Sequence, residues 1–271
     1  MKQPLRSELN VIVFFLKGVL LRTLSLWSAF LVLFSIAPWA QADQVHVAVA
    51  SNFSGAMKSL VEQFEYQTEH DVVLSFGSSG KMLAQIQNGA PYDVFLSADQ
   101  AKPMALEASG EALQDTRFTY AIGALALWSS DADLIDQSPA ALLSGQFNKL
   151  ALANPKLAPY GYAASEVLNA MGLTESTQAH WVMGENISQT YQFVASGNAD
   201  LGFVALSQIM NNGAVTNGSS WLVPKSLYHP IRQDAVLLKR GQDNLAAKDL
   251  LAFLKSPAAI ETIHRFGYET E

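Results

Sequence analysis

The chain has 271 residues with 17 basic and 24 acidic side chains, which give a net charge of −7, and it contains no cysteine. The lack of cysteine argues against disulfides, thiolate metal sites and a lipid anchor on cysteine, and the acidic balance disfavours nucleic acid and anionic membranes as partners. The length suits one large domain or two lobes of roughly 100 residues each.

The N-terminal segment has the pattern of a secretory signal peptide. Its apolar run, residues 26–37, follows four basic residues, Lys2, Arg6, Lys17 and Arg22. Ala40 and Ala42 fit a cleavage site just before Asp43, and the run is shorter than the ~20 residues that span a bilayer. We therefore expect residues 1–42 to be cleaved on export to the periplasm.

Strand-like and helix-like segments alternate along the rest of the chain. Apolar positions at helical spacing follow several of the strands, as Met82, Leu83 and Ile86 illustrate. The strand-like runs are residues 45–50, 71–76, 92–98, 124–128, 150–154 and 200–205. This order predicts an α/β protein with mainly parallel sheets.

Three predicted strand-to-helix turns are small and rich in hydroxyl or amide groups: residues 50–55 (ASNFSG), 76–81 (FGSSGK) and 158–165 (APYGYAAS). Ligands of such sheets gather at the carboxyl ends of the strands, where helix N-termini offer unpaired N–H groups and a positive dipole end to anions. Taken singly, the serines are equally consistent with ordinary N-caps. Three such turns in one exported protein favour an anion site.

Several other functions lack the residues that they require. A nucleotide-binding P-loop would need glycine at Ser75 and a hydroxyl residue at Met82, and both are missing. No G-x-S-x-G elbow occurs, and the five histidines show neither a catalytic pairing nor metal-binding spacing. The sequence therefore predicts neither a nucleotide-binding protein, nor a hydrolase, nor a metal site.

Four blocks of the sequence resemble the periplasmic molybdate-binding proteins of ABC-type molybdate importers. The blocks are VAVASNFSGAM (47–57), VVLSFGSSGKMLAQIQNGAPYDVFLSAD (72–99), LAPYGYAASEVL (157–168) and DLGFVALSQI (200–209). Residues 86–100 are the most specific part, and the similarity extends to RFGY at 265–268. Short Gly-Ser loops alone would be weak evidence for this family, but the four blocks in this order are a specific match to it.

The resemblance implies a two-lobed periplasmic-binding-protein fold of type II, with the ligand in the cleft between the lobes. Each lobe would be a mainly parallel sheet flanked by helices. The first lobe would hold residues 43–122 plus 231–271 and the second residues 123–230, with crossings near 122–124 and 225–231. The implied function is high-affinity binding of molybdate and tungstate, without catalysis or cofactor. The implied partner is a membrane permease with its cytoplasmic ATPase, served by a monomeric periplasmic protein.

The resemblance also implies which residues bind the oxyanion. Some members place a ligand tyrosine where this chain has Ala205, and the hydroxyl of Tyr160 together with a donor of Asn52 would replace the missing tyrosine hydroxyl. Tyr160 and Ile187 would also donate through backbone N–H groups, whereas Asn52 could use its side chain or its backbone. The implied ligands are Ser51, Asn52, Ser79, Tyr160 and Ile187, with Ser78 and Gly161 beside them.

The chemistry of the three turns fits a fully ionised oxyanion. Molybdate is a tetrahedral dianion with acceptor oxygens only, so its ideal host offers donors and no carboxylate. The turns contain no Asp or Glu; we expect Lys81 to be a solvated residue of the first helical turn, and Glu185 lies close to Ile187 along the chain. The alternative is a binding protein for sulfate, phosphate or vanadate.

Overall fold

The computed structural model describes residues 43–211 and 213–271. The predicted signal peptide, residues 1–42, lies outside the described residues. Among the residues that are described, no helix is both long enough and apolar enough to cross a membrane.

The first part of the described chain alternates strands and helices, as the sequence predicts. A 3₁₀ turn at Ser51–Phe53 joins the first strand to the first helix. In chain order the elements are β1 (Gln44–Ala50), α1 (Ser54–Thr68), β2 (Asp71–Gly77), α2 (Ser79–Gln87), β3 (Val94–Leu96), α3 (Ala101–Ser109), β4 (Phe118–Gly123) and β5 (Leu125–Ser129).

The second part contains longer connections and the return of the chain to its first sheet. Its elements are α4 (Ala140–Ser144), β6 (Leu150–Ala153), α5 (Pro159–Ala170), α6 (Thr174–Thr177), β7 (Trp181–Gly184), α7 (Ile187–Ala195), β8 (Leu201–Ala205), α8 (Leu206–Ile209), β9 (Met210–Asn211), β10 (Ala214–Val215), β11 (Ser219–Leu222), β12 (Ile231–Leu237), α9 (Leu245–Phe253) and α10 (Pro257–Arg265).

The strands form two five-stranded sheets and a small hairpin of β9 and β10. The first sheet has the order β2-β1-β3-β12-β4 and the second the order β11-β5-β8-β6-β7. In each sheet four strands run in one direction and one strand opposes them: β12 in the first sheet and β5 in the second. The predicted α/β class with mainly parallel sheets is confirmed.

Both faces of the first sheet are buried because successive side chains point to opposite faces and β1 is apolar at every position from Val47 to Ala50. Val45, Val47 and Val49 of β1 pack in the same cluster as Leu60 and Phe64 of α1. The opposite face places Ala48 and Phe95 against Met82 of α2 and Leu106 of α3. Each fully buried side chain of this size contributes about 1.5–3 kcal/mol, so helices on both faces hold the strand ends in fixed positions.

The second sheet is covered on both faces in the same way. Leu127 and Phe203 belong to a large cluster with Ala164 and Val167 of α5, and Trp128 packs on the other face with Val194 of α7. The starts of α5 and α7 are therefore anchored to this sheet, as those of α1 and α2 are to the first.

Candidate functional site

A small cavity lies where strand ends of both sheets meet. The 3₁₀ turn after β1 and the first turns of α2, α5 and α7 supply most of its walls. The lining residues are Ala50, Ser51, Asn52, Gly77, Ser78, Ser79, Ala98, Ala158, Pro159, Tyr160 and Ile187. Helix N-termini carry unpaired N–H groups and partial positive charge, so this convergence creates a site for an anion.

The structure brings together six of the seven residues that the resemblance singled out. Ser51, Asn52, Ser78, Ser79, Tyr160 and Ile187 all line the cavity. Gly161 is absent from the lining, and a Cβ there would lie only 2.1 Å from the carbonyl oxygen of Ala153. Glycine is required at this position by the close packing of α5 on β6. A role of any of the seven residues in ligand binding stays a prediction.

The two adjacent serines have hydroxyl groups that the fold leaves available. Ser78 is the N-cap residue of α2, yet its side chain accepts no capping hydrogen bond, and its buried Oγ has no partner among the residues described. Ser79 Oγ accepts from the backbone N–H of Ala98 at 2.9 Å, which leaves its own proton free to donate. Buried polar groups are nearly always paired, so the unpaired Ser78 hydroxyl at the cavity wall is available to a ligand.

The side chain of Asn52 is fully engaged inside the protein. Its Nδ2 donates to Gln233 Oε1 at 2.8 Å and to the hydroxyl of Tyr268 at 3.0 Å. An amide nitrogen has two hydrogens to donate, so no side-chain donor of Asn52 remains for a ligand. This leaves its backbone N–H, in the 3₁₀ turn at the cavity wall, as the group that can face an anion.

The hydroxyl of Tyr160, which the resemblance offered as a replacement for the missing ligand tyrosine, is directed to the rear of the site instead of into the cavity. It accepts from Gln233 Nε2 at 3.2 Å and lies so close to Gly123 that a Cβ there would be 1.9 Å away. Tyr160 follows Pro159, the first residue of α5, which has no N–H of its own. The backbone N–H of Tyr160 is therefore the first donor that α5 can offer.

Charged side chains surround the cavity without lining it. The lining set contains no Lys, Arg, Asp or Glu. Lys81 Nζ instead pairs with Glu185 Oε1 at 2.6 Å, and both side chains are about half exposed. The lysine is thus half solvated, as expected, but it also joins α2 to the segment before α7 and neutralises the carboxylate nearest along the chain to Ile187.

Several hydrogen bonds connect the two walls directly, and three of them end on backbone carbonyl oxygens. The N–H of Gly80 donates to the carbonyl oxygen of Leu157 at 2.9 Å. Ser188 Oγ donates to the carbonyl oxygen of Ser51 at 3.2 Å, and Ser207 Oγ donates to that of Asn52 at 3.1 Å. The two walls are therefore in direct contact beside the cavity in this structure.

A larger groove adjoins the cavity and shares Ala98, Ala158 and Pro159 with it. Its lining includes two carboxylates, and each is paired with a basic side chain, Asp99 with Lys102 and Glu166 with His229. The smaller cavity is the better candidate for a dianion because its lining offers hydrogen-bond donors and no carboxylate.

Three buried tyrosines behind the cavity predict a loss of stability in alkali. Burial raises the pKa of the phenols of Tyr120, Tyr160 and Tyr268 above the usual value, so the folded state holds their protons more tightly than the unfolded chain. Their contribution to stability is complete below the unfolded pKa of about 10 and is lost as pH rises above it. Melting temperatures measured from pH 8 to 11 should fall steeply above about pH 10. The fall should be shallower in Tyr160→Phe, and an equally steep fall would contradict this explanation.

Comparison with known proteins agrees with this geometry. The family model for bacterial extracellular solute-binding proteins matches residues 45–269. The chain belongs to this family.

Several relatives of this solute-binding protein are named for molybdate. It is 52% identical over 229 residues to the molybdate-binding protein of Azotobacter vinelandii, covering 84% of this chain and 91% of that one. It is 47% identical over 232 residues to the molybdate-binding protein of Rhodobacter capsulatus, covering 86% and 90%. The solved structure of the Azotobacter vinelandii periplasmic molybdate-binding protein superposes with a TM-score of 0.82, at 42% identity, over 84% of this chain and 99% of that one. The resemblance drawn from the sequence and the two-lobed fold are confirmed.

Sequence analysis did not identify one residue of this solute-binding protein, Gln233, which contacts two of the predicted ligand residues. Gln233 contacts both Asn52 and Tyr160 from behind the cavity. The available signal was a polar pair, Gln233 and Asp234, between Arg232 and the apolar residues 235–237. That pattern predicts buried polar contacts, but it does not identify their partners.

Proposed function

We propose that this chain binds molybdate in the periplasm and delivers it to the membrane permease of an ABC importer. The observation that carries the proposal is the donor-only cavity, whose uncharged walls combine four helix or turn N-termini with two available serine hydroxyls. Close relatives named as molybdate-binding proteins support the same ligand. Tungstate, which has the same charge and shape and nearly the same size, is the expected second ligand.

The proposed ligand set is made of serine hydroxyls and backbone N–H groups. Ser51, Ser78 and Ser79 would donate through hydroxyls, and Asn52, Tyr160 and Ile187 through backbone N–H groups. Hydrogen bonds to a charged group contribute about 1.5–3 kcal/mol each, so six of them supply about 9–18 kcal/mol, against the about 8–12 kcal/mol of micromolar to nanomolar binding. The difference is absorbed by dehydration of the dianion and by ordering of the closed protein.

We propose that closure is a movement of two lobes about the strand crossings. The first lobe would comprise residues 43–122 plus 231–271 and the second residues 123–230. Gly123 ends β4 immediately before β5 begins, a position consistent with the first crossing. The wall-to-wall hydrogen bonds of Gly80, Ser188 and Ser207 would form on closure and break on release.

The cellular setting follows from the same proposal. Residues 1–42 would act as a cleavable export signal, and the remaining chain would work in the periplasm as a monomer. The ATP-driven step would belong to the cytoplasmic ATPase of the importer, with no catalytic step in this chain. Sulfate, phosphate and vanadate are not favoured as the principal ligand because the matching relatives are named for molybdate.

Thermal unfolding of ligand-stripped protein against a panel of oxyanions tests the ligand. At 100 times its dissociation constant a ligand adds about 2.7 kcal/mol of stability, which raises the melting temperature of a domain of this size by about 5–10 °C. Molybdate and tungstate should produce this rise at matched ionic strength, and sulfate, phosphate and vanadate should not. A rise with sulfate or phosphate alone would overturn the proposed ligand while keeping the cleft.

A further inference from the structure

A buried glutamine outside the cavity holds two of its walls. Gln233 lies in β12 and has no exposed surface, and the register of β12 against β4 shifts between Gln233 and Asp234. Such bulges redirect side chains and are common beside functional sites. Here the side-chain amide of Gln233 points to the rear of the cavity rather than into it, since Gln233 is absent from the lining.

The two ends of this amide contact opposite walls. Gln233 Oε1 accepts from Asn52 Nδ2 at 2.8 Å and from the hydroxyl of Tyr120 at 3.1 Å. Gln233 Nε2 donates to the hydroxyl of Tyr160 at 3.2 Å. Asn52 belongs to the turn after β1 and Tyr160 to the first turn of α5, so one rigid planar group spans the distance between a first-sheet wall and a second-sheet wall.

The surrounding structure leaves this group little freedom. A Cβ on Gly123 would lie 1.9 Å from the Tyr160 hydroxyl and 2.8 Å from Gln233 Nε2, so the contact needs glycine at the crossing. The second N–H of Asn52 is fixed by the hydroxyl of Tyr268. The positions of the Asn52 and Tyr160 backbone donors are thus set through their own side chains.

We propose that Gln233 is a positioning residue that fixes the width of the oxyanion cavity and thereby sets the preference for molybdate over sulfate. This inference rests on the proposed function. Sulfate has the same charge and shape as molybdate but is smaller, and donors held at a fixed spacing cannot reach a smaller ion from all sides. Loss of the connection lets the two walls shift independently, which weakens preorganised molybdate binding more than sulfate binding.

The ratio of sulfate to molybdate dissociation constants tests this role, measured by isothermal titration calorimetry on the mature protein. Tyr160→Phe removes only the hydroxyl that Gln233 contacts and keeps the Tyr160 backbone N–H. Gln233→Met removes the whole connection with little change in shape. We expect the ratio to fall about tenfold in each variant, a difference of about 1.4 kcal/mol in selectivity.

Tyr120→Phe is the matched control. It deletes one hydroxyl that contacts the same Gln233 Oε1, but Tyr120 is absent from the cavity lining, so the ratio should stay within about twofold of the wild type.

The outcomes separate this inference from the proposed function. If both affinities fall equally in Tyr160→Phe, Gln233 has a structural role only and the inference is wrong. The same conclusion follows if Tyr120→Phe lowers the ratio as much as Tyr160→Phe. If Gln233→Met fails to fold, the result for Tyr160→Phe alone decides whether the inference holds. In all of these cases, a wild-type protein that binds molybdate selectively upholds the proposed function. A wild-type protein without that selectivity overturns both the proposed function and the inference on Gln233.

Discussion

Replacing Gly80 with alanine should weaken molybdate binding by about tenfold or more, while the ligand-free protein stays nearly as stable as the wild type. Gly80 is the second residue of α2, and a Cβ there would lie 2.9 Å from the carbonyl oxygen of Leu157 and 3.1 Å from its Cα. Both atoms belong to backbone just ahead of α5, so neither can move aside as a flexible side chain can. The added methyl group would hold the two walls apart.

The effect should appear only in the closed state. In an open protein α2 and Leu157 separate, and alanine is the better helix former by about 1 kcal/mol. Calorimetric titration with molybdate should therefore show a higher dissociation constant, and thermal unfolding without ligand should show an unchanged or slightly higher melting temperature.

Gly55→Ala provides the matched control. Gly55 is also the second residue of a helix, α1, but its added Cβ would meet only the ring of Phe266 at 3.0 Å, a side chain in the same cluster as β1 and α1. Its molybdate affinity should stay within about twofold of the wild type. Wild-type affinity in Gly80→Ala would mean that the close approach of Gly80 to Leu157 is not needed for binding.

The sequence was informative about the site where chemistry and local structure coincide. Ser51, Ser79 and Tyr160 stand at strand-to-helix turns, and a parallel sheet brings such turns to one edge. Alternation of apolar strands and helices was enough to predict the class of fold. The pairing of β12 between β3 and β4 was not predicted, because it joins segments more than 100 residues apart along the chain.

The roles of individual polar groups depended on contacts that only the folded chain defines. Ser78 had the appearance of an N-cap, and it occupies that position without making the capping hydrogen bond. The Asn52 amide could have been a ligand, but its donors are taken by Gln233 and Tyr268. Such choices depend on which partner lies within about 3 Å in space, and sequence spacing carries no information about that.

Alanine substitutions of the adjacent Ser78 and Ser79 should weaken molybdate binding to a similar degree, but only Ser79→Ala should lower the stability of the ligand-free protein. Ser79→Ala removes a hydroxyl that would donate to the oxyanion and also the acceptor of the Ala98 N–H. A hydrogen bond to a charged group is worth about 1.5–3 kcal/mol, so the molybdate dissociation constant should rise by about 10- to 150-fold. The ligand-free protein should also lose about 1 kcal/mol of stability because a buried N–H is left unpaired.

Ser78→Ala should weaken molybdate binding by a similar factor without that loss of stability. Its Oγ has no protein partner among the described residues, so its removal leaves no group unpaired and the ligand-free protein should be at least as stable as the wild type. Ser109→Ala, at an exposed position of α3, is the control for serine removal and should change neither quantity. Titration calorimetry and thermal unfolding of the three variants measure both effects. If Ser78→Ala lowers stability and leaves affinity intact, its hydroxyl serves the fold, and the ligand set must be drawn from the backbone N–H groups and Ser51 and Ser79 alone.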